Sequence, residues 1–161
     1  GKYLDPNIEN GEKTDFCIGV AGYPEKHFEA PNLKIDIEYL KAKVDAGADY
    51  IVTQMFFDNR HYFDFVKACR EAGIAVPIVP GLKPLTKVHQ LTSIPRNFYI
   101  NLPDDLATAL QKSTTPKART EAGIEWCIQQ SKELKAGGAP CLHFYTMGDA
   151  ETIRKVAEAV F

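Results

Sequence analysis

The feature that most constrains the fold is the alternation of short apolar runs with segments of helical periodicity. Nearly continuous apolar runs lie at residues 16–21, 50–54, 76–80 and 141–145. Because their apolar residues are consecutive rather than alternating with polar ones, the runs predict strands buried on both faces of a parallel sheet. Strand and helix alternate four times along the chain, which predicts an α/β fold with right-handed crossovers and helices covering the sheet.

Capping and stop residues delimit the helices between these strands. Asn32 caps a helix that ends at Gly47, and Asp58 or Asn59 caps a second helix that ends at Gly73. Further helices are predicted over 87–91, 103–112, 116–136 and 149–160. Residues 1–15 lack apolar periodicity and predict an irregular segment, so the folded unit is expected to span 16–161.

Two architectures fit this alternation of strands and helices. An open doubly wound sheet usually carries a G-x-G-x-x-G turn after its first strand, and the residues 22–25 do not match that pattern. A (β/α)8 TIM barrel needs eight such units over roughly 250 residues, so this chain would supply about four of them. The residues by themselves leave both architectures open.

Composition narrows the class of ligand. The net charge of -2 gives no broad positive field, which disfavours nucleic acid and anionic membrane surfaces as partners. No apolar run reaches the roughly 20 residues of a membrane span, and the start lacks a signal peptide's apolar stretch, so a cytoplasmic protein is expected. The cysteines have no metal-ligand spacing and are predicted to be reduced core thiols without a metal site. They are Cys17, Cys69, Cys127 and Cys141.

Polar and aromatic residues follow each predicted strand, where ligands of parallel α/β proteins bind. They include Tyr23, Glu25 and His27, then Gln54, then Lys83, Lys87, His89 and Gln90, and finally Tyr145 and Thr146. This rim suits an amphipathic ligand. His143 lies inside an apolar strand and is predicted to be a core residue, and the pair Phe56 and Phe57 is expected to pack rather than to stack on a ligand.

The order of several motifs resembles that of methylenetetrahydrofolate reductases. The motifs are Ala21-Gly22-Tyr23-Pro24-Glu25-Lys26-His27, the segment 43–47, Thr53-Gln54-Met55-Phe56-Phe57-Asp58, Pro80-Gly81-Leu82 and His143-Phe144-Tyr145-Thr146. The similarity extends from about Phe16 to the end of the chain. Five motifs in the same order and at the family's spacings make a chance match improbable.

The resemblance implies a flavin-binding (β/α)8 barrel, of which this chain supplies the last four units. In that family, NAD(P)H reduces FAD, which then reduces 5,10-methylenetetrahydrofolate to 5-methyltetrahydrofolate. The residues that the resemblance assigns to FAD are Tyr23, His27, Ala30, Asp36 and Lys43. It assigns Gln54 and Gln90 to the substrate side, and it implies a homo-oligomer.

The sequence also departs from the family's pattern. Tyr39 stands where the family often has asparagine or histidine, and Asp149 stands at the position of a folate-binding arginine, for which Arg154 or Lys155 could substitute. The family's first four strands and the general acid glutamate that they carry are not in this sequence. We therefore expect no catalytic residue here and no turnover by the chain alone. A non-catalytic flavin- and folate-binding half-barrel is the alternative, and an aldolase or phosphosugar isomerase barrel is disfavoured because neither a strand-end catalytic lysine nor a phosphate loop is evident.

Overall fold

The computed structural model describes residues 15–161, which form parallel strands with helices between them. The strands are β1 (Gly19–Gly22), β2 (Tyr50–Thr53), β3 (Ile78–Val79), β4 (Gly81–Leu82) and β5 (His143–Phe144). The helices are α1 (Leu33–Asp45), α2 (Asn59–Glu71), α3 (Gln90–Phe98), α4 (Asp104–Lys112), α5 (Pro116–Ala136) and α6 (Ala150–Val160). The irregular segment predicted at 1–15 lies outside the described residues except for Asp15, which belongs to no helix or strand.

The strand pairing confirms an α/β fold with a parallel sheet. β1 pairs with β2, β2 pairs with β3, and β4 pairs with β5, each in parallel. Within residues 15–161, β1 and β5 each pair with one neighbouring strand. These residues thus form four strand positions, counting β3 and β4 as one, and closure into an eight-stranded barrel stays a prediction.

Pro80 divides the third predicted strand into two parts. The prediction of a single strand at 76–80 is therefore wrong in its limits, because β3 ends before Pro80 and β4 begins after it. Proline has no backbone N–H and cannot donate to a ladder, but its carbonyl accepts a hydrogen bond from the His143 N–H at 3.0 Å. One short segment consequently pairs with β2 through β3 and with β5 through β4.

Two side chains bind strands together where the ladder is interrupted. The buried Thr53 hydroxyl accepts a hydrogen bond from the Gly81 N–H at 2.9 Å. The Tyr145 hydroxyl donates to the Thr53 carbonyl at 2.8 Å. Gly81 is required at this junction, since a Cβ there would lie 2.2 Å from the Thr53 carbonyl oxygen. The end of β2 is therefore fixed to β4 and to the segment after β5 by these two bonds.

We expect Thr53→Val to destabilise the fold although valine has nearly the same shape. The substitution leaves the buried Gly81 N–H without an acceptor, which costs about 1–3 kcal/mol. Chemical denaturation followed by circular dichroism measures the loss. Thr53→Ser is the matched control because it keeps the hydroxyl acceptor, and equal destabilisation by both variants would contradict this role of the hydroxyl.

The helix caps explain most of the helix boundaries. The Asn32 side chain accepts from the Ile35 N–H at 3.0 Å, and the Asp58 side chain accepts from the Arg60 N–H at 2.9 Å. Both caps were predicted, as were the left-handed glycines Gly47 and Gly73 after the first two helices. The helix predicted at 87–91 instead spans Gln90–Phe98 and contains a proline. Pro95 removes only one backbone hydrogen bond from this short helix.

Helix α5 packs against the loop that follows β2. Its Gln130 amide donates to the Phe56 carbonyl at 2.9 Å, and its Trp126 indole donates to the Phe57 carbonyl at 3.2 Å. Phe56 and Phe57 are 0% and 2% exposed, which confirms that they are packing residues. These hydrogen bonds from α5 to backbone carbonyls thereby hold the segment after β2 in place.

Two predictions of burial were wrong at the sheet margins. His143 is exposed rather than buried, because it lies on β5, which has one neighbouring strand among the described residues. Cys17 and Cys141 are also exposed, since they precede β1 and β5, whereas Cys69 and Cys127 are buried as expected. Burial raises the pKa of both buried thiols to about 12, which keeps them protonated at neutral pH.

None of the helices among residues 15–161 is both long enough and apolar enough to cross a bilayer.

Candidate functional site

The loop between β1 and α1 brings three of the predicted flavin residues together. The rings of Tyr23 and His27 meet edge to face, with centroids 4.5 Å apart. The Asp36 carboxylate, in the first turn of α1, accepts a hydrogen bond from the backbone N–H of His27 at 2.8 Å. Burial, followed by the charge of Asp36, raises the pKa of the Tyr23 hydroxyl. The carboxylate therefore fixes the loop and adds to the effect of burial on the neighbouring phenol.

Lys26 stabilises the same loop through its ammonium group. Its backbone is left-handed, with φ of 81°, which is uncommon for a residue with a side chain. Its ammonium group donates to the Ala30 carbonyl at 2.8 Å and to the His27 carbonyl at 3.1 Å. Ala30 is 4% exposed, so the loop offers a ligand little of this side chain. Ala30 is thus part of the loop's internal packing.

Lys43 lies apart from this cluster. It is exposed in the last turn of α1, seven residues after Asp36, which places it roughly 10 Å farther along the helix axis. Tyr39 lies between them on the same helix and is 59% exposed. Only an extended ligand that runs along α1 could contact both Asp36 and Lys43.

Gln54 lies directly after β2, beside the Tyr23 loop. Its backbone N–H donates to the Gly22 carbonyl at 2.8 Å, and its side-chain oxygen accepts from the Met55 N–H at 2.9 Å. The amide NH2 group makes no hydrogen bond with the described residues, and the side chain is half-buried. Gln54 can therefore donate to an acceptor at this edge of the sheet.

Gln90 belongs to a different part of the same edge. Its side-chain oxygen accepts from the Thr86 N–H at 2.8 Å and from the Lys87 N–H at 2.9 Å, which ties the turn before α3. Gln90 also lines a cavity of about 110 Å³ together with Lys83 and Tyr145. Its oxygen is thus structural, and its NH2 group is the part available to a ligand.

Tyr145 connects the two groups; the sequence placed it in the polar rim but assigned it no contact with FAD or substrate. Its hydroxyl binds the carbonyl of Thr53, next to Gln54, and its side chain lines the cavity that contains Gln90. Burial, followed by the nearby Tyr23, raises the pKa of its hydroxyl. Its position at the end of the fourth apolar run was the available signal, and the sequence could not show its hydrogen bond to β2.

The structure does not favour Arg154 or Lys155 as the replacement for a folate-binding arginine. Arg154 binds Glu151 at 2.8 Å and Glu158 at 2.5 Å on the exposed side of α6, and Lys155 lies 3.8 Å from Glu151. Asp149 instead caps α6 by accepting hydrogen bonds from the N–H and the hydroxyl of Thr152. The cations at the 110 Å³ cavity are Lys83 and Lys87.

A larger cavity of about 300 Å³ lies between the start of α2 and α5. Phe57, Pro103 and Trp126 give it apolar walls, and Asn59 and Glu133 are among its polar ones. It contains none of the seven residues predicted from the sequence, so the predicted residues and this space are separate features.

Parallel βα units with polar and aromatic side chains at the carboxyl ends of the strands define an α/β protein, a class in which ligands generally bind at that edge. The profile of the methylenetetrahydrofolate reductase family matches residues 7–160. The chain therefore belongs to the methylenetetrahydrofolate reductase family.

Curated relatives agree with this assignment. A probable methylenetetrahydrofolate reductase (NADPH) of Caenorhabditis elegans is 37% identical over 147 residues, which cover 90% of this chain and 22% of the relative. Methylenetetrahydrofolate reductase 2 of Saccharomyces cerevisiae is 40% identical, covering 91% of this chain and 25% of the relative. The 5,10-methylenetetrahydrofolate reductase of Pectobacterium carotovorum is 37% identical, covering 87% of this chain and 47% of the relative. The chain thus spans between about a fifth and a half of these relatives.

A solved structure shares the fold. It is an uncharacterized protein from Clostridium thermocellum that binds two copies of 5-methyl-5,6,7,8-tetrahydrofolic acid. The match has a TM-score of 0.58 at 18% identity and covers 90% of this chain and 52% of that protein. At this identity, the match supports the mixed α/β fold.

Proposed function

We propose that this chain forms part of the active site of a flavin-dependent methylenetetrahydrofolate reductase. In this proposal the whole enzyme is a (β/α)8 barrel that uses NAD(P)H to reduce 5,10-methylenetetrahydrofolate to 5-methyltetrahydrofolate. Family membership supports the substrate class, and relatives named for NADPH and for NADH both occur. The observation that carries the proposal is the convergence of the Tyr23 loop, Gln54 and Tyr145 at the carboxyl ends of β1, β2 and β5.

The chemistry of these residues fits a flavin nucleotide. The rings of Tyr23 and His27 offer aromatic edges and faces, and the exposed Lys43 offers a cation for a diphosphate. Asp36 would hold the loop that presents both rings. When bound, FAD would supply the hydride carrier for the reaction, and the protein would contribute position and electrostatics.

Each residue then has a distinct task on the substrate side. The Gln54 NH2 group would donate to a carbonyl or ring nitrogen of the ligand above β2, and the NH2 group of Gln90 would do the same beside α3. Tyr145 would keep the two regions at a fixed separation through its bond to Thr53. Such fixed donors orient a ligand without a cost of reorganisation at the moment of reaction.

Three aspartates at this edge argue for a binding role of the described residues in place of proton transfer. Asp36, Asp58 and Asp149 each accept backbone hydrogen bonds that hold a loop or cap a helix. Glu25 is nearly buried and accepts from the Asn101 N–H at 2.9 Å. Among residues 15–161, the three aspartates are therefore occupied with structure, whereas the buried Oε1 atom of Glu25 has no hydrogen-bond partner there. The roles of the aspartates favour the second candidate function, a flavin- and folate-binding module without turnover of its own.

An absorption spectrum of the purified chain, before and after heat release, tests the proposal. We expect a flavin spectrum after incubation with FAD, binding of 5-methyltetrahydrofolate, and no NAD(P)H-dependent reduction of methylenetetrahydrofolate. A colourless chain that also fails to bind 5-methyltetrahydrofolate would contradict both candidate functions. Turnover by the pure chain would contradict the binding-only role and would leave the reductase as the remaining candidate function.

A further inference from the structure

Two lysines line the small cavity between β4, α3 and α6. Lys83 follows β4, is half-buried, and donates to the Tyr145 carbonyl at 3.3 Å. Lys87, four residues further along the chain, is exposed and lines the same cavity, as does Gln90. The cavity of about 110 Å³ exceeds the roughly 10–15 Å³ that one ordered water molecule needs. It can therefore accept a small polar group, such as a carboxylate or a phosphate.

The charges around this cavity do not cancel. Its charged lining residues are Lys83, Lys87 and Asp149. Asp149 also faces Thr152, and its two carboxylate oxygens accept from the Thr152 N–H at 3.1 Å and from the Thr152 hydroxyl at 2.7 Å. One acid thus opposes two cations, and that acid is already held as a helix cap. The lining leaves one positive charge for a ligand.

The burial of Lys83 also favours the binding of an anion at this cavity. Desolvation is the main cause that lowers the pKa of its ammonium group. The charge of Asp149 partly offsets this effect, and the charge of Lys87 makes a smaller contribution that lowers the pKa further. A half-buried ammonium group beside a second cation is stabilised by an anion that brings hydrogen-bond acceptors. The Gln90 NH2 group lies at the same cavity and can donate to that anion as well.

We infer that Lys83 and Lys87 form an anion subsite that takes a carboxylate or phosphate group of the ligand. The inference deepens the proposed function and rests on it for the identity of the ligand. Two sources offer this chemistry: the carboxylates of a folate's glutamate tail, and the 2′-phosphate that distinguishes NADPH from NADH. The subsite discriminates between ligands that carry the anion and ligands that lack it.

Isothermal titration of the intact chain tests the subsite with matched pairs of ligands. The first pair is 5-methyltetrahydrofolate and 5-methyltetrahydropteroate, which lacks the glutamate tail. The second pair is NADPH and NADH, and glutarate and inorganic phosphate serve as minimal probes. The variants are Lys83→Met and Lys87→Met. Lys117→Met, on the exposed face of α5, is the matched control for loss of one positive charge, and circular dichroism confirms folding.

In the variants we expect the Kd of the anion-bearing member of one pair to rise roughly tenfold. The Kd of the partner that lacks the glutamate tail or the 2′-phosphate should change less than about twofold. In Lys117→Met, the Kd of both members of each pair should also change less than about twofold. An effect on the folate pair identifies the glutamate tail, and an effect on the nucleotide pair identifies the 2′-phosphate.

The subsite and the proposed function fail in different ways. If the wild-type chain binds 5-methyltetrahydrofolate and NADPH with affinities that neither lysine changes, the subsite is wrong and the proposed function stands. If glutarate or phosphate binds in a Lys83-dependent manner while no folate or nucleotide binds, the subsite stands and the proposed function is wrong. Failure of every probe to bind overturns the subsite.

Discussion

Gly123→Ala is expected to destabilise the fold more than other single methyl additions. Gly123 lies within α5, where a Cβ would stand 1.7 Å from the Leu85 carbonyl oxygen and 2.7 Å from the Leu85 carbonyl carbon. These are backbone atoms between β4 and α3, so no side-chain rotation can relieve the overlap. We expect a loss of about 3 kcal/mol or more, and a fall in Tm of roughly 10 °C. Thermal and chemical denaturation of the purified variant measure both quantities.

Gly19→Ala is the control for the added methyl group. A Cβ at Gly19 would also approach other atoms closely, at 2.4 Å, but these belong to the tip of the partly exposed Tyr50 side chain at the start of β2. That ring can move toward solvent, so we expect a loss below about 1 kcal/mol. Comparable stabilities for the two variants would show that α5 can shift away from Leu85, contrary to the close packing described here.

The sequence predicted the helices well where the signals are local. Asn32 and Asp58 cap helices with their own side chains, and Gly47 and Gly73 adopt the left-handed backbone that ends helices. Each of these effects involves residues within one turn, so the pattern of residue types is sufficient to place them.

The junction at Pro80 shows what the sequence could not predict. The apolar run at 76–80 predicts one strand, but the ladder changes partner at Pro80, and Thr53 and Tyr145 complete it through side-chain bonds across 28 and 92 residues of sequence. Which hydroxyl meets which backbone group depends on packing of the whole sheet. For the same reason, the exposure of His143 follows from the neighbours of β5 and not from the apolar run around it.

The candidate site was predicted in part. Tyr23, His27 and Asp36 do form one group, because they follow one strand and begin one helix. Gln54 lies beside them, whereas Gln90 belongs to a separate cavity. Their assignment to flavin and substrate stays a prediction. Lys83 stood among the polar residues after the third strand, and its pairing with Lys87 at one cavity became visible only in three dimensions.

Asp36→Ala is expected to release the loop that carries Tyr23 and His27. The carboxylate accepts the His27 N–H at 2.8 Å, and a hydrogen bond to a charged group contributes about 1.5–3 kcal/mol. Without it, hydrogen exchange at the His27 amide should accelerate by roughly 10- to 100-fold, and the Kd for FAD should rise by a similar factor if the loop holds the flavin. Amide exchange followed by mass spectrometry measures the first effect without any ligand.

Asp36→Asn separates the hydrogen bond from the charge, because asparagine keeps an acceptor oxygen but has no negative charge. If the bond to His27 is what matters, this variant should exchange the His27 amide nearly as slowly as the wild type and retain most of its affinity for FAD. An asparagine variant as weak as the alanine variant would assign the effect to charge instead. The charge of Asp36 also raises the pKa of Tyr23, so the asparagine variant should lower the pH at which that phenol ionises. The tyrosine titration therefore reports the charge, and amide exchange reports the hydrogen bond, in the same protein.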